Sequence, residues 1–206
     1  MAKVYRDDDA DLGVLKGKTV SVLGYGNQGR SQALNLRDNG VNVVIGNRGD
    51  DYRTLASNDG FDAFDIPTAA SKGDVAMVIL PDEIHAQVLP VDIFPHLKPN
   101  ATLVFAHGYS VFYKEVDPPA SHDVTLLAPK MIGPAVRELF EKGAGFPSLV
   151  AVERDVSGHA WDTVLGLAKG IGSTAVGAWR TTFEEETITD LFGEQVGGGG
   201  AIISIM

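Results

Sequence analysis

The stretch "TVSVLGYGNQGRSQALNLRDNG", residues 19–40, restricts the possible folds more than any other in the chain. Its first six residues are mostly apolar, rich in β-branched side chains and stopped by a glycine, the pattern of a buried strand. Residues 27–40 then read as a helix closed by Asn39-Gly40. Between the two, Gly24-Tyr25-Gly26-Asn27-Gln28-Gly29 spells G-x-G-x-x-G. In such a turn the first glycine permits the tight bend, the second lets backbone approach a pyrophosphate, and the third lets helix and strand pack closely. The helix N-terminus adds unpaired N–H groups and the positive end of a dipole. Dinucleotide binding by these six residues is the expectation.

Apolar strand patterns recur at 41–46, 74–81, 101–108, 123–130 and 148–155. Residues 84–97 form a helical stretch broken by Pro90 and Pro95, and residues 157–172 a further helix. Strands and helices alternating at this spacing need crossover connections. The expected architecture is therefore α/β: a Rossmann-like, doubly wound, mostly parallel sheet with helices on both faces. The near-continuous apolar strands agree, because such a sheet is buried on both sides. After Thr181-Thr182 the character changes to "FEEETITDLFGEQ", helical in pattern and strongly acidic. Residues 1–181 are expected to be an NAD(P)-binding domain and 182–206 a short helical C-terminal extension.

The formal net charge of −10 opposes a nucleic-acid or anionic-membrane partner, but local N–H groups and an arginine still allow an anionic small ligand. With no cysteine, disulfides, thiolate zinc sites and thiol nucleophiles are excluded. The first eighteen residues are charged from residue 3 and lack the apolar run of a signal peptide, and no stretch of about 18 apolar residues occurs. A cytoplasmic protein is expected. The apolar ending "AIISIM" favours a partner surface, so a homo-oligomer is expected too.

The segment after the second strand, 46–55, should choose the nucleotide. Arg48 and Arg53 suit the 2′-phosphate of NADPH, whereas Asp50 or Asp51 suits the free ribose hydroxyl of NADH, and both readings stand. Ligands of an open α/β sheet lie beyond the carboxyl ends of its strands. "LPDE" (80–83), "FAHGYS" (105–110) and "APKMIG" (128–133) fall there. Leu80, Pro81, Asp82 and Gly133 are expected beside the cofactor, with His107 and Lys130 placed to orient substrate or relay a proton. Asp190 and Glu194 are four apart, which puts them on one helix face; a solvated acidic helix and a pair of ligands for a hard cation both fit that spacing.

With these pieces assembled, the chain resembles the ketol-acid reductoisomerase (acetohydroxyacid isomeroreductase) family. The likeness runs from "VYRDDDADLGVLKGKTVSVLGYGNQGRSQALNLRDNG" through "LPDE", "FAHGYS", "APK" and "LAKGIGST" to "TTFEEETITDLFGEQ", the most specific piece, over about residues 4–195. The resemblance implies NADPH or NADH as reductant and two Mg²⁺ ions. It matches His107 and Lys130 to active-site positions, and Asp190 and Glu194 to metal carboxylates. The implied substrates are the 2-hydroxy-3-keto acids 2-acetolactate and 2-aceto-2-hydroxybutyrate, which undergo alkyl migration and then hydride reduction to 2,3-dihydroxy acids. Two departures stand out: Met131-Ile132 follows the lysine where the family has small residues, and only residues 196–206 stand where it has a knotted helical domain with further metal glutamates. The 206-residue chain is therefore expected to bind nucleotide and to isomerise poorly. A reductase of 2-keto acids, ketones or imines without migration, and a non-catalytic nucleotide-binding module, are the alternatives.

Overall fold

A computed structural model describes residues 3–193. Its strands are β1 (Val4–Tyr5), β2 (Thr19–Leu23), β3 (Asn42–Gly46), β4 (Asp62–Phe64), β5 (Val75–Val78), β6 (Thr102–Phe105), β7 (Asp123–Pro129), β8 (Pro147–Arg154) and β9 (Gly177–Arg180). The α-helices are α1 (Asn27–Asp38), α2 (Asp51–Asn58), α3 (Ile66–Lys72), α4 (His85–Val88), α5 (Tyr109–Phe112), α6 (Gly133–Glu141), α7 (Ala160–Ile171) and α8 (Phe183–Gly193). One sheet holds all nine strands in the order β1-β9-β8-β7-β6-β5-β2-β3-β4.

Strands β4, β3, β2, β5, β6 and β7 run parallel, which is the doubly wound arrangement expected. The order reverses between β2 and β5, and the crevice at their carboxyl ends is where ligands bind in such sheets. The parallel run stops at β7. Strand β8 pairs antiparallel to it, with Pro129 opposite Ser148, and β9 follows β8 in parallel. Helix α6, between β7 and β8, packs on α1, where Asn35 Nδ2 donates to the Val136 carbonyl. The chain thus re-enters the sheet at the end it left and sets the start of β8 beside Lys130, whose amide donates to the Pro147 carbonyl.

Side-chain alternation divides the core between the two faces, as a strand period of two demands. Val20, Val22, Val75, Met77 and Val104 join one cluster with Leu36 of α1, Val136 of α6 and Leu167 of α7. Leu23, Ala76, Val78, Leu103 and Phe105 join the other with Ala69 of α3 and Phe183 of α8. Helix α8 is thus seated by its first residue against the carboxyl ends of the central strands. Among the described residues no helix is long and apolar enough to cross a membrane.

Candidate functional site

The turn from β2 into α1 has the geometry that its glycines foretell. Gly24 sits at φ +104°, and a Cβ there would stand 2.4 Å from the Ile79 carbonyl oxygen. A Cβ on Gly29 would stand 1.9 Å from the Gly24 carbonyl oxygen, whereas one on Gly26 would meet nothing within 4 Å. The first and third glycines are therefore closed by protein, and the second opens on the crevice. Gly26 is the N-cap of α1, no side chain caps that end, and no acidic residue stands in its first turn. Its leading N–H groups are left for an anion.

The other residues of the motif divide their tasks. Asn27 is exposed at the mouth. The Tyr25 side chain turns away from the crevice into the core, where its hydroxyl donates to Asp59 Oδ2 at 2.9 Å and its amide donates to Asn47 Oδ1 at 3.0 Å. Burial, with the Asp59 carboxylate beside it, pushes the phenol pKa well above its ordinary value. Tyr25 therefore braces the turn from below, and only its backbone faces the crevice side. Gln28 reaches across it, its Nε2 donating to the Met131 carbonyl at 2.7 Å. A Cβ on Gly133 would lie 2.5 Å from the Asn27 carbonyl carbon, so the start of α6 rests on the backbone of the nucleotide turn.

After β3, Asp50 caps α2 by accepting from the Tyr52 and Arg53 amides, and its other oxygen accepts from Arg48 Nε at 2.6 Å. The Arg48 guanidinium beside it holds the Asp50 carboxyl below the usual carboxylate range. The Arg48 side chain is 84% exposed, and Asp51 is exposed at the first helical position. Arg53 is half-buried one turn into α2.

Across the crevice the strand ends converge on α8. His107, after β6, has Nδ1 2.5 Å from Asp82 Oδ2, while its Nε2 faces Asp190 at 3.6 Å and Glu186 at 3.8 Å. Nε2 is buried without a hydrogen-bond partner among the described residues. Burial alone would depress the His107 pKa, but the Asp82 bond and the carboxylates of Glu186 and Asp190 raise it above the ordinary imidazole value. Lys130, at the end of β7, donates to Glu186 Oε1 at 2.7 Å and to Asp190 Oδ1 at 2.6 Å. Burial would lower its pKa too, and the same two carboxylates override that and raise it. Glu186 is 1% exposed, and its second oxygen accepts the Gly108 amide at 2.9 Å. A ligand atom from each of His107, Glu186 and Asp190 lies within 4.8 Å of the others, a spacing that suits one cation. A cleft of about 480 Å³ opens over Lys130, Leu149 and Asp190, and one of about 830 Å³ over Pro81, Asp82, His107 and Tyr109.

The structure thus brings Asp82, His107, Lys130 and Asp190 together. Leu80 and Pro81 lead into the same loop, and Gly133 closes against the nucleotide turn. Glu194 and the 197–200 glycine tract lie outside the described residues. Glu186 is the residue that sequence reasoning passed over, in a run of three glutamates. Its signal was periodicity: Phe183, Glu186, Thr187 and Asp190 share the 3.6-residue stripe that faces inward.

This fold and this turn define a doubly wound dinucleotide-binding domain with a charged site at the carboxyl ends of β5, β6 and β7, to one side of its switch point. The family model for the NADPH-binding domain of acetohydroxy acid isomeroreductase matches residues 14–177. Ketol-acid reductoisomerase (NADP(+)) of Caldivirga maquilingensis is 50% identical over 201 residues, which is 96% of this chain and 61% of that protein. The Pyrobaculum calidifontis protein of the same name is 49% identical over 207 residues, covering 100% of this chain and 63% of its own length. The NADH-preferring ketol-acid reductoisomerase of an uncultured archaean superposes with a TM-score of 0.95 at 39% identity, over 98% of this chain and 63% of that one. The chain belongs to the ketol-acid reductoisomerase family and carries its nicotinamide-nucleotide domain. It spans less than two thirds of the length of these relatives.

Proposed function

We propose that this chain supplies the nucleotide site and one wall of the metal site of an NADPH- and Mg²⁺-dependent ketol-acid reductoisomerase acting on 2-acetolactate and 2-aceto-2-hydroxybutyrate. The observation that carries the reading is the meeting of His107, Lys130, Glu186 and Asp190 beside a G-x-G-x-x-G turn. The residues present fit both groups. Gly26 leaves the uncapped end of α1 open to a pyrophosphate, and the facing carboxylates of Glu186 and Asp190 offer the oxygen donors that a hard divalent cation takes. When bound, Mg²⁺ supplies Lewis acidity at the ketone and hydroxyl oxygens, and the reduced nicotinamide supplies the hydride.

The chain's own residues do the rest. Gly24 and Tyr25 spend their amides on Gly46 and Asn47 and so shape the turn, the N–H groups from Gly26 to Gln28 would hold the pyrophosphate, and Leu80, Pro81 and Asp82 would wall the nicotinamide side. Asp82 accepts from His107 Nδ1, which orients the ring and leaves Nε2 to face the metal carboxylates and the substrate. Lys130, cationic at neutral pH, would donate a hydrogen bond to a substrate oxygen and give its proton to the developing alkoxide, leaving a neutral amine that solvent reprotonates. Asp190 and Glu194 would hold the metal. Asp50 is already occupied as a helix cap, while Arg48 is exposed and its surface ion pair is weak. Arg48 and Arg53 are therefore read as the 2′-phosphate contacts, with Asp51 at the ribose, and NADPH as the preferred nucleotide. Ile188 and Phe192, exposed on α8, support burial of that helix face in a cytoplasmic homo-oligomer, and residues 182–206 are read as the start of a second, helical domain.

The test follows NADPH and NADH oxidation by the purified protein at its native length. Turnover of 2-acetolactate that needs Mg²⁺ and prefers NADPH is the expected result. Equal turnover of simple 2-keto acids with the metal chelated would replace this reading with that of a plain reductase.

A further inference from the structure

His85 has no part in the chemistry above, yet it is buried between the two loops that carry it. It opens α4 and is 2% exposed. Its Nε2 lies 3.1 Å from the Leu80 carbonyl oxygen and its Nδ1 2.8 Å from Ser110 Oγ. A carbonyl only accepts, so Nε2 carries a proton, and in the neutral ring Nδ1, which also lies 3.5 Å from Asp82 Oδ1, accepts from the serine hydroxyl. Burial pushes the ring pKa below its ordinary value, in keeping with that neutral tautomer. Leu80 stands two residues before Asp82, and Ser110 three residues after His107. The ring also meets the edge of Phe105, centroids 6.2 Å apart, and Phe105 packs against Phe183 at the start of α8.

A leucine would fill similar space without the cost of burying two polar ring atoms. What it lacks is a bond to each loop. Both segments have left the sheet at these points, so no strand ladder joins them. We infer that His85 is a positioning residue, which clamps the Leu80–Asp82 loop to the His107–Ser110 segment at the start of α5 and so sets the approach of Asp82 to His107. The kinetic consequence rests on the proposed reductoisomerase reading; the structural consequence stands apart from it.

The experiment compares wild type with His85→Leu and His85→Gln, using the protein at its native length. A glutamine amide can donate to the Leu80 carbonyl and accept from the Ser110 hydroxyl, so it keeps both bonds. By hydrogen exchange, His85→Leu is expected to loosen residues 80–83 and 106–110 together, by about tenfold in rate, while residues 24–30 keep their protection. His85→Gln should restore both segments. ADP-ribose, which fills the nucleotide turn without a nicotinamide, should bind both variants as tightly as wild type. The kcat with NADPH, Mg²⁺ and 2-acetolactate should fall roughly ten- to a hundredfold in His85→Leu, the scale of a small misplacement, and recover in His85→Gln. Unchanged exchange in His85→Leu, loosening of one loop alone, or no rescue by glutamine would overturn the inference. A wild-type protein with no turnover would instead overturn the proposed reaction, and exchange would still decide the role of His85.

Discussion

Replacing Lys130 by methionine keeps most of the stem and removes the ammonium, which makes it a sharp probe of the charged site. Glu186 would lose the partner of Oε1 and keep the Gly108 amide on Oε2, while its side chain stays 1% exposed. Breaking a fully buried ion pair costs about 3–5 kcal/mol, and losing an exposed one costs about 1 kcal/mol or less. Here Glu186 is buried, but Lys130 and Asp190 are 31% and 30% exposed, so water reaches part of the cluster. The expected loss is about 2–3 kcal/mol, between those limits. Glu186→Gln keeps an acceptor for the Gly108 amide and removes the stranded charge. The double variant should therefore be less destabilised than the two single losses added together. Urea unfolding at neutral pH of the four proteins in this cycle gives the coupling directly. Added Mg²⁺ should stabilise Lys130→Met more than wild type, because the ammonium no longer competes for Glu186 and Asp190. A Lys130→Met protein within about 0.5 kcal/mol of wild type, with additive effects, would refute the reasoning.

The glycine turn and the imidazole give further expectations. Gly26→Ala meets no protein atom, so its melting temperature should hold while NADPH affinity falls at least about tenfold; Gly29→Ala, whose Cβ would press on the Gly24 carbonyl, should lose both. Calorimetry with nucleotide titration separates the two, and an unstable Gly26→Ala would contradict the open-crevice geometry. His107 has a raised folded-state pKa, so the stability its protonation contributes is complete below the unfolded value of about 6.5 and is lost as pH rises through the folded value. The stability gap between wild type and His107→Gln should therefore be constant in mild acid and narrow as pH rises above about 6.5, and a widening gap would show that His107 folds neutral.

Much of this was legible in the chain because the signals were local. The strand–glycine–helix run at 19–40 and the apolar strands carried their own periodicity. What was not legible depended on neighbours. Strand β4 is three residues long and β1 only two, too short for any pattern, and each exists because a partner strand completes it. The reversal at β8 hung on where α6 packs, which its own residues do not state. In the site, Asp82, His107 and Lys130 were marked by their place after apolar strands. Glu186 was hidden among surface glutamates, and His85 looked like one more residue of a proline-broken helix. Their roles come from contacts with residues far away in sequence, and the same is true of the core-facing Tyr25 side chain.

The contact of Gly133 with Asn27 has a consequence for how such a protein can drift. Two backbones pressed together leave no adjustable part between them, unlike a seam of side chains that can be refilled with other shapes. The spacing from the phosphate end of the crevice to the lysine is therefore a fixed gauge. Arg48, Asp51 and Arg53 lie beyond β3, away from that gauge. On the proposed reading, substitutions there would retune which nucleotide is held while the distance from its pyrophosphate to Lys130 stays the same.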